Sequence, residues 1–142
     1  MPDRIKPPSW FWIIAVVALA WNAMGALNFA MQTGPDAAAA MPEKYRAVIE
    51  SRPFWALAAF GIGVVSALMG CVALLVRRGY ALQLFLLSLV ATLLTLLHAA
   101  PVQAAQPAFG AVDLLLTVFL PIAVAVFLVW WAWYASRRDW LS

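Results

Sequence analysis

The chain has 142 residues, of which 66% are hydrophobic and 11% are charged, whereas an ordinary soluble domain carries about 25% charged residues. This composition excludes a soluble globular domain and predicts an integral membrane protein. The net charge of +3 comes from basic residues dispersed at the ends of apolar runs, so we expect no nucleic-acid-binding patch. One Cys, one His and six carboxylates are too few for most catalytic constellations. The sequence therefore predicts no enzyme activity, no metal site and no cofactor.

Four apolar runs predict membrane-spanning helices, because each is close to the roughly 20 residues that cross a hydrocarbon core. A segment in lipid must satisfy its own backbone hydrogen bonds, and runs of this length without strand alternation leave the α-helix. We therefore predict an all-α fold, a four-helix membrane bundle that forms one domain over residues 1–142. The predicted spans are 10–31, 54–76, 80–100 and 112–134.

The basic residues at the ends of the spans predict the orientation of the bundle. Six of them lie at the N-terminus, in the second loop and at the C-terminus, and three lie on the opposite side. The six are Arg4, Lys6, Arg77, Arg78, Arg137 and Arg138, and the three are Lys44, Arg46 and Arg52. Because cytoplasmic loops carry the excess of Lys and Arg, both termini should face the cytoplasm. A cleaved signal peptide is the alternative for the first span, but the apolar run is longer than the core of such a peptide.

The loop between the first two spans contains a short amphipathic pattern. Met41, Tyr45, Val48 and Ile49 recur at helical spacing, and Pro42 suits a first helical turn. The pattern predicts a helix over residues 42–51 in the first periplasmic loop. Such a helix lies on the membrane surface or caps the bundle, and docking of a partner protein is the alternative.

Small residues repeat at steps of three and four along the second predicted span. We call this row the small-residue seam; it consists of Ala56, Ala59, Gly63, Ser66, Gly70 and Ala73. Helices in lipid associate through close backbone approach, which small side chains permit. The seam is therefore predicted to pack inside the bundle, with a homodimer interface as the alternative.

Polar side chains inside the spans are the candidates for a binding site. Asn22 and Asn28 lie on one arc of the first span, and Thr92 and Thr95 lie on one stripe of the third. Their amides and hydroxyls are expected to form hydrogen bonds between helices. The alternative is that they form the polar wall of a small substrate cavity.

His98 and Asp113 are the only histidine and the only acidic residue inside the predicted spans. A compact turn over residues 101–110 would place them close together at the outer boundary. They are interpreted either as a proton-handling or ligand-gripping pair, or as structural residues at the interface. Pro121 should bend the fourth span and leave the carbonyl of Thr117 without its helical partner, so that Asp113, Thr117 and Pro121 share one inward face.

Several short motifs resemble a family of small four-span bacterial inner-membrane proteins whose function is uncharacterised. These motifs are Pro7-Pro8-Ser9-Trp10-Phe11, Trp21-Asn22-Ala23-Met24-Gly25, Pro53-Phe54-Trp55, Gly70-Cys71 with Leu74-Leu75-Val76-Arg77-Arg78, and Trp140-Leu141. Some members of that family are labelled sugar transporters, and the resemblance covers most of the chain. The layout is also similar to the small multidrug transporters and the DoxX-like proteins. The former depend on an acid in the first span, where this chain has only Asn22 and Asn28.

Two functions follow as hypotheses. The small-residue seam favours a non-enzymatic protein of the bacterial inner membrane, acting as an accessory subunit or a homo-oligomer, whose partners are the lipid bilayer and another membrane protein or a second copy. The polar residues of the spans favour the alternative, an oligomeric transporter of a small neutral solute such as a sugar. A haem or thiol-redox protein is rejected, because His98 and Cys71 each stand alone.

Overall fold

The structure is a computed structural model that describes residues 5–142. Arg4, one of the basic residues used to predict the orientation, lies outside this range. The elements are α1 (Ser9–Thr33), α2 (Ala37–Ala40), α3 (Glu43–Ser51), α4 (Phe54–Leu75), α5 (Ala81–Ala104), α6 (Ala111–Leu114), a π-helical segment (Leu115–Phe119) and α7 (Leu120–Arg137). The last three run on without a break, and together they form the fourth span.

Four of these helical segments are long and apolar enough to cross a membrane: Ser9–Thr33, Phe54–Leu75, Ala81–Ala104 and Ala111–Arg137. The predicted all-α four-helix membrane bundle is therefore confirmed. The amphipathic helix predicted over 42–51 is present as α3, which we call the loop helix. The short helix α2 was not predicted, because a run of four alanines has no periodicity that distinguishes it from an apolar loop.

Prolines determine where several helices begin. Pro8, Pro42 and Pro53 each directly precede a helix and have extended backbone angles. A proline has no amide hydrogen to donate to the preceding turn, and its ring disfavours a helical conformation of the residue before it, so a helix seldom extends past a proline towards the N-terminus. Pro101 departs from this rule, since α5 continues through it to Ala104. The helix therefore continues about one turn beyond residue 100, where the third span was predicted to end, and the connection to the fourth span begins after Ala104.

The spans pack in chain order: α1 against α4, α4 against α5, and α5 against α7. The closest contact is made by the small-residue seam, all of whose members are buried. A Cβ atom at Gly63 would lie 3.3 Å from Cβ of Ala91, and one at Gly70 would lie 2.8 Å from Cε1 of Phe85. Ser88 Oγ also donates to the carbonyl of Gly63, at 3.0 Å. The seam thus faces α5 within a single chain.

At one end of the bundle, which we call the C-terminal end, aromatic rings join α1 to α7. The ring centroids of Trp10 and Trp131 are 5.0 Å apart, and those of Phe11 and Trp140 are 5.8 Å apart. Arg77 completes this end, because its guanidinium donates to the carbonyls of Ile5 and Trp140. The first described residues, the α4–α5 loop and the C-terminal tail therefore lie at the same end, as an even number of spans requires.

The side of the membrane on which this end lies is the first testable prediction. Reporters fused after Ser142 and within residues 77–79 should report the cytoplasm, and a reporter within residues 32–52 should report the periplasm. The reason is the excess of six basic residues over three at the two ends. Paired alkaline phosphatase and fluorescent protein fusions measure this, and a periplasmic C-terminus would contradict the predicted orientation.

Candidate functional site

A cavity of about 590 Å³ lies between the four spans, beneath the loop helix. Its volume falls in the range of about 300–1,000 Å³ that is typical of small-molecule sites. Most of its wall is apolar and comes from α1, α4, α5 and the fourth span. Met41, Tyr45 and Val48, from the loop helix and the residues just before it, form its roof. We call this end of the bundle the loop-helix end.

The cavity opens sideways between α1 and the fourth span. These two helices are held together by aromatic rings at the C-terminal end but do not pack closely along their length. Met24 and Met31 of α1 and Leu116 of the fourth span line the cavity, and more than half of each residue's surface is exposed. Because large apolar side chains in the spans face lipid, the opening leads into the membrane rather than directly into water.

Five of the polar residues predicted from the sequence line this one cavity: Asn22, Asn28, Thr92, Thr95 and Thr117. Most of their hydrogen bonds stay within their own helix. The amide of Asn22 donates to the carbonyl of Ala18 at 2.8 Å, and the hydroxyl of Thr95 donates to that of Ala91 at 2.8 Å. Such bonds satisfy a polar group without joining two helices. The structure therefore gives these side chains the positions of a cavity wall. Three contacts do join helices: Asn22 Nδ2 lies 3.5 Å from Sγ of Cys71 in α4, Thr117 bonds to Gln103 of α5, and Ser88 bonds to α4.

His98 and Asp113 do not line the cavity, and the two side chains, which were expected within direct or water-bridged reach, form no direct contact with each other. Nε2 of His98 lies 3.3 Å from Oγ of Ser51, and the His98 ring packs edge-on against Trp55. Asp113 instead forms an ion pair with Lys44, with Nζ and Oδ1 3.0 Å apart. Both partners, Ser51 and Lys44, belong to the loop helix. The two residues therefore lie at the same end, as expected, but each holds the loop helix rather than the other residue.

The loop helix is held down by charge and by aromatic packing. The Asp113 carboxylate also accepts the backbone N–H of Gly110 at 3.2 Å, which caps the start of the fourth span. The hydrogen bond to Asp113 raises the pKa of the Lys44 ammonium above its ordinary value. Tyr45 packs edge-on against Phe109 with the ring centroids 5.4 Å apart. The loop helix therefore caps the bundle, which was the preferred prediction for it.

Arg52 is the functional candidate that the sequence analysis missed. It follows the loop helix and lines the cavity, where Nη2 donates to Oε1 of Gln32 at 2.6 Å. Its guanidinium lies over the ring of Phe60, 5.4 Å from the centroid. Burial lowers the pKa of Arg52, but an arginine remains protonated at physiological pH. From sequence, Arg52 was interpreted only as a loop charge that sets the orientation.

Gln103 is a second missed residue, and it lies in the extra turn of α5 beyond Pro101. It is buried and lines the cavity. Its Oε1 lies 2.8 Å from Oγ1 of Thr117, which also lies 2.7 Å from the carbonyl oxygen of Asp113. The single hydroxyl hydrogen of Thr117 serves one of these two acceptors at a time. A polar link between α5 and the fourth span therefore borders the cavity.

Pro121 perturbs the fourth span over the turn that precedes it. The π-helical segment Leu115–Phe119 ends just before Leu120 and Pro121. A proline cannot donate to the carbonyl four residues earlier, which here belongs to Thr117, and a π-bulge is one way in which a helix accommodates the loss. Thr117 and Pro121 both line the cavity, so the irregular part of the span is the part that faces it.

No family model, curated protein or solved structure matches the chain. Function is therefore inferred from the geometry of the cavity and of its lining.

Proposed function

We propose that this chain is a membrane protein that binds a small molecule in the cavity between its spans, as the binding step of transport across or within the membrane. The observation that supports this proposal most directly is the convergence of Asn22, Asn28, Thr92, Thr95 and Thr117 on one cavity. Apolar walls with a few converging polar groups are typical of small-molecule sites. Bundle packing alone would not require this arrangement, because most of the hydrogen bonds of these residues are local.

The proposal favours the transporter hypothesis over the accessory-subunit hypothesis. The accessory-subunit hypothesis depended on the small-residue seam, and that seam packs against α5 of the same chain. Self-association through another face and oligomeric transport stay predictions. We also propose the bacterial inner membrane as the location, which the family resemblance and the distribution of basic residues support.

Gly25 offers a way to fill the cavity without disturbing the protein. It lines the cavity, and an added Cβ atom there would meet no heavy atom within 4 Å. Replacement of a helical glycine by leucine also favours the helix by roughly 0.5–1 kcal/mol. We therefore expect Gly25→Leu to fold normally and to weaken binding about tenfold or more, since the new side chain would occupy the site.

The measurement is equilibrium binding to the purified full-length chain in nonionic detergent, with radiolabelled glucose, hexadecanol and palmitate as probes. Saturable binding of at least one probe is expected. Ala23→Leu is the matched control, because Ala23 lies on an exposed face of the same helix, and it should bind as the original chain does. If no probe binds saturably, or if Gly25→Leu binds as well as Ala23→Leu, the proposed function is wrong.

A further inference from the structure

Arg52 is the one charged residue among the cavity-lining residues of the described chain. No carboxylate within residues 5–142 lies within 4.0 Å of its guanidinium. A guanidinium has five N–H donors, and the structure gives one protein acceptor for them, Oε1 of Gln32. Two N–H groups on one edge of a guanidinium can bind a carboxylate or phosphate with two parallel hydrogen bonds. The charge on the cavity wall therefore favours a ligand with an acidic group.

The lining is more polar towards the loop-helix end than towards the C-terminal end. At the loop-helix end the lining includes two amides close to Arg52: Gln32, which accepts from Arg52, and Asn28, which accepts from Gln32. Apolar Met31, Met41 and Val48 also line the cavity there. Towards the C-terminal end the lining is mainly Ala67, Phe85 and Leu128, with Asn22 and Ser88 as the polar exceptions. A ligand that fits this arrangement has a polar head at one end and an apolar body at the other.

The sideways opening indicates how such a ligand would enter. Met24, Met31 and Leu116 line the cavity and are 67%, 51% and 54% exposed, so they form an apolar edge between the cavity and the surrounding lipid. A molecule dissolved in the bilayer can pass this edge with its apolar body in hydrocarbon throughout. A strongly polar solute such as a sugar would have to shed its water there, which costs free energy.

We propose that the cavity binds an anionic amphiphile, with its acidic head group on Arg52 and its hydrocarbon body between α1 and the fourth span. This proposal rests on the proposed function and names its ligand class. An acidic head group supplies the counter-charge that no residue within 5–142 gives to the half-buried guanidinium, and the amides of Gln32 and Asn28 supply further hydrogen bonds. The head group comes from a free fatty acid or from an anionic phospholipid, since carboxylate and phosphate bind a guanidinium in the same way.

The test compares two probes that have the same chain length and differ in the head group, a charged carboxylate in palmitate and a neutral hydroxyl in hexadecanol. Palmitate should bind the purified full-length chain saturably and about tenfold or more tightly than hexadecanol, since hydrogen bonds between charged groups are the stronger ones. Arg52→Gln should remove this preference, because it should lower palmitate affinity much more than hexadecanol affinity. Arg52→Lys keeps the charge but loses the paired donors, so it should recover part of the preference.

Arg46→Gln is the matched control for general attraction between a basic surface and an anion. Arg46 lies on the exposed side of the loop helix and donates to the carbonyl of Ala38. Palmitate affinity should stay within about twofold in this variant, because charges at exposed sites are screened. An equal loss in Arg46→Gln and Arg52→Gln would overturn the proposal.

Competition distinguishes the two sources of the head group. Displacement of bound palmitate by phosphatidylglycerol, but not by phosphatidylcholine, would support an anionic phospholipid, and failure of both to displace it would support a free acid. Equal affinity for palmitate and hexadecanol would overturn the proposal that the ligand has an acidic head group. If Gly25→Leu still weakened binding in that case, the cavity would remain the binding site and the proposed function would stand. Palmitate binding that survives Gly25→Leu would contradict both this inference and the proposed function.

Discussion

Gly63→Ile should destabilise the bundle by about 3 kcal/mol, the upper end of the usual cost of overpacking. A Cβ atom at Gly63 would already lie 3.3 Å from Cβ of Ala91 and 3.7 Å from the backbone nitrogen of Thr92. The further carbons of isoleucine would meet the α5 backbone, which can give way only if the two helices separate. Separation would also break the 3.0 Å hydrogen bond from Ser88 to the Gly63 carbonyl.

The measurement is unfolding of the purified chain in mixed micelles, with helicity as the readout. Leu86→Ile is the control, because Leu86 lies on an exposed face of α5, and it should change stability by less than about 0.5 kcal/mol. Gly70→Ile should also destabilise, because an added Cβ atom would lie 2.8 Å from the ring of Phe85, which is 1% exposed. Equal stabilities of Gly63→Ile and Leu86→Ile would contradict the packing described for the seam.

The sequence was sufficient to predict the features that depend on local pattern. The four spans follow from the length of the apolar runs, and the loop helix follows from the spacing of Tyr45 and Val48. The row of small residues in α4 indicated a packing face, since side chain size and helical spacing determine how closely two backbones approach. Each of these features depends on residues within one continuous segment of the chain.

The sequence was insufficient where a partner comes from a distant segment. His98 and Asp113 lie at the same end, but their partners come from the loop helix, whose position over the bundle no spacing reveals. Arg52 just before a span has the same sequence signature whether it points to the membrane surface or towards a cavity. Gln103 was missed because helix α5 continues through Pro101, where a proline ordinarily marks the end of a helix.

Trp131 is a further residue whose burial the sequence did not reveal. Its replacement is the second change for which we expect a large loss of stability. Trp131 lies between Trp130 and Trp133 in an aromatic-rich sequence near the end of the fourth span, where a ring at the membrane interface and a buried ring have the same sequence signature. It is only 2% exposed and lies within aromatic contact of Trp10, Phe11 and Trp140. We expect Trp131→Ala to destabilise the bundle by about 3–5 kcal/mol, the usual cost of removing a buried aromatic side chain. Trp133→Ala, on an exposed face of the same helix, should cost less than about 1 kcal/mol.

Trp131→Phe separates ring packing from hydrogen bonding. The indole nitrogen of Trp131 is buried without a hydrogen-bond partner in the described residues, and a buried donor in that state costs free energy. Phenylalanine keeps much of the packing and removes the donor, so Trp131→Phe should cost less than half of what Trp131→Ala costs in the same unfolding measurement. The aromatic rings around Trp131 join α1 to the fourth span, and these two helices border the cavity. Trp131→Ala should therefore also weaken palmitate binding, because the two helices would no longer be held together. An equal loss of stability in both Trp131 variants would contradict the claim that the indole N–H is buried without a partner. Unchanged palmitate binding in Trp131→Ala would contradict the claim that the cavity depends on the C-terminal end of the bundle.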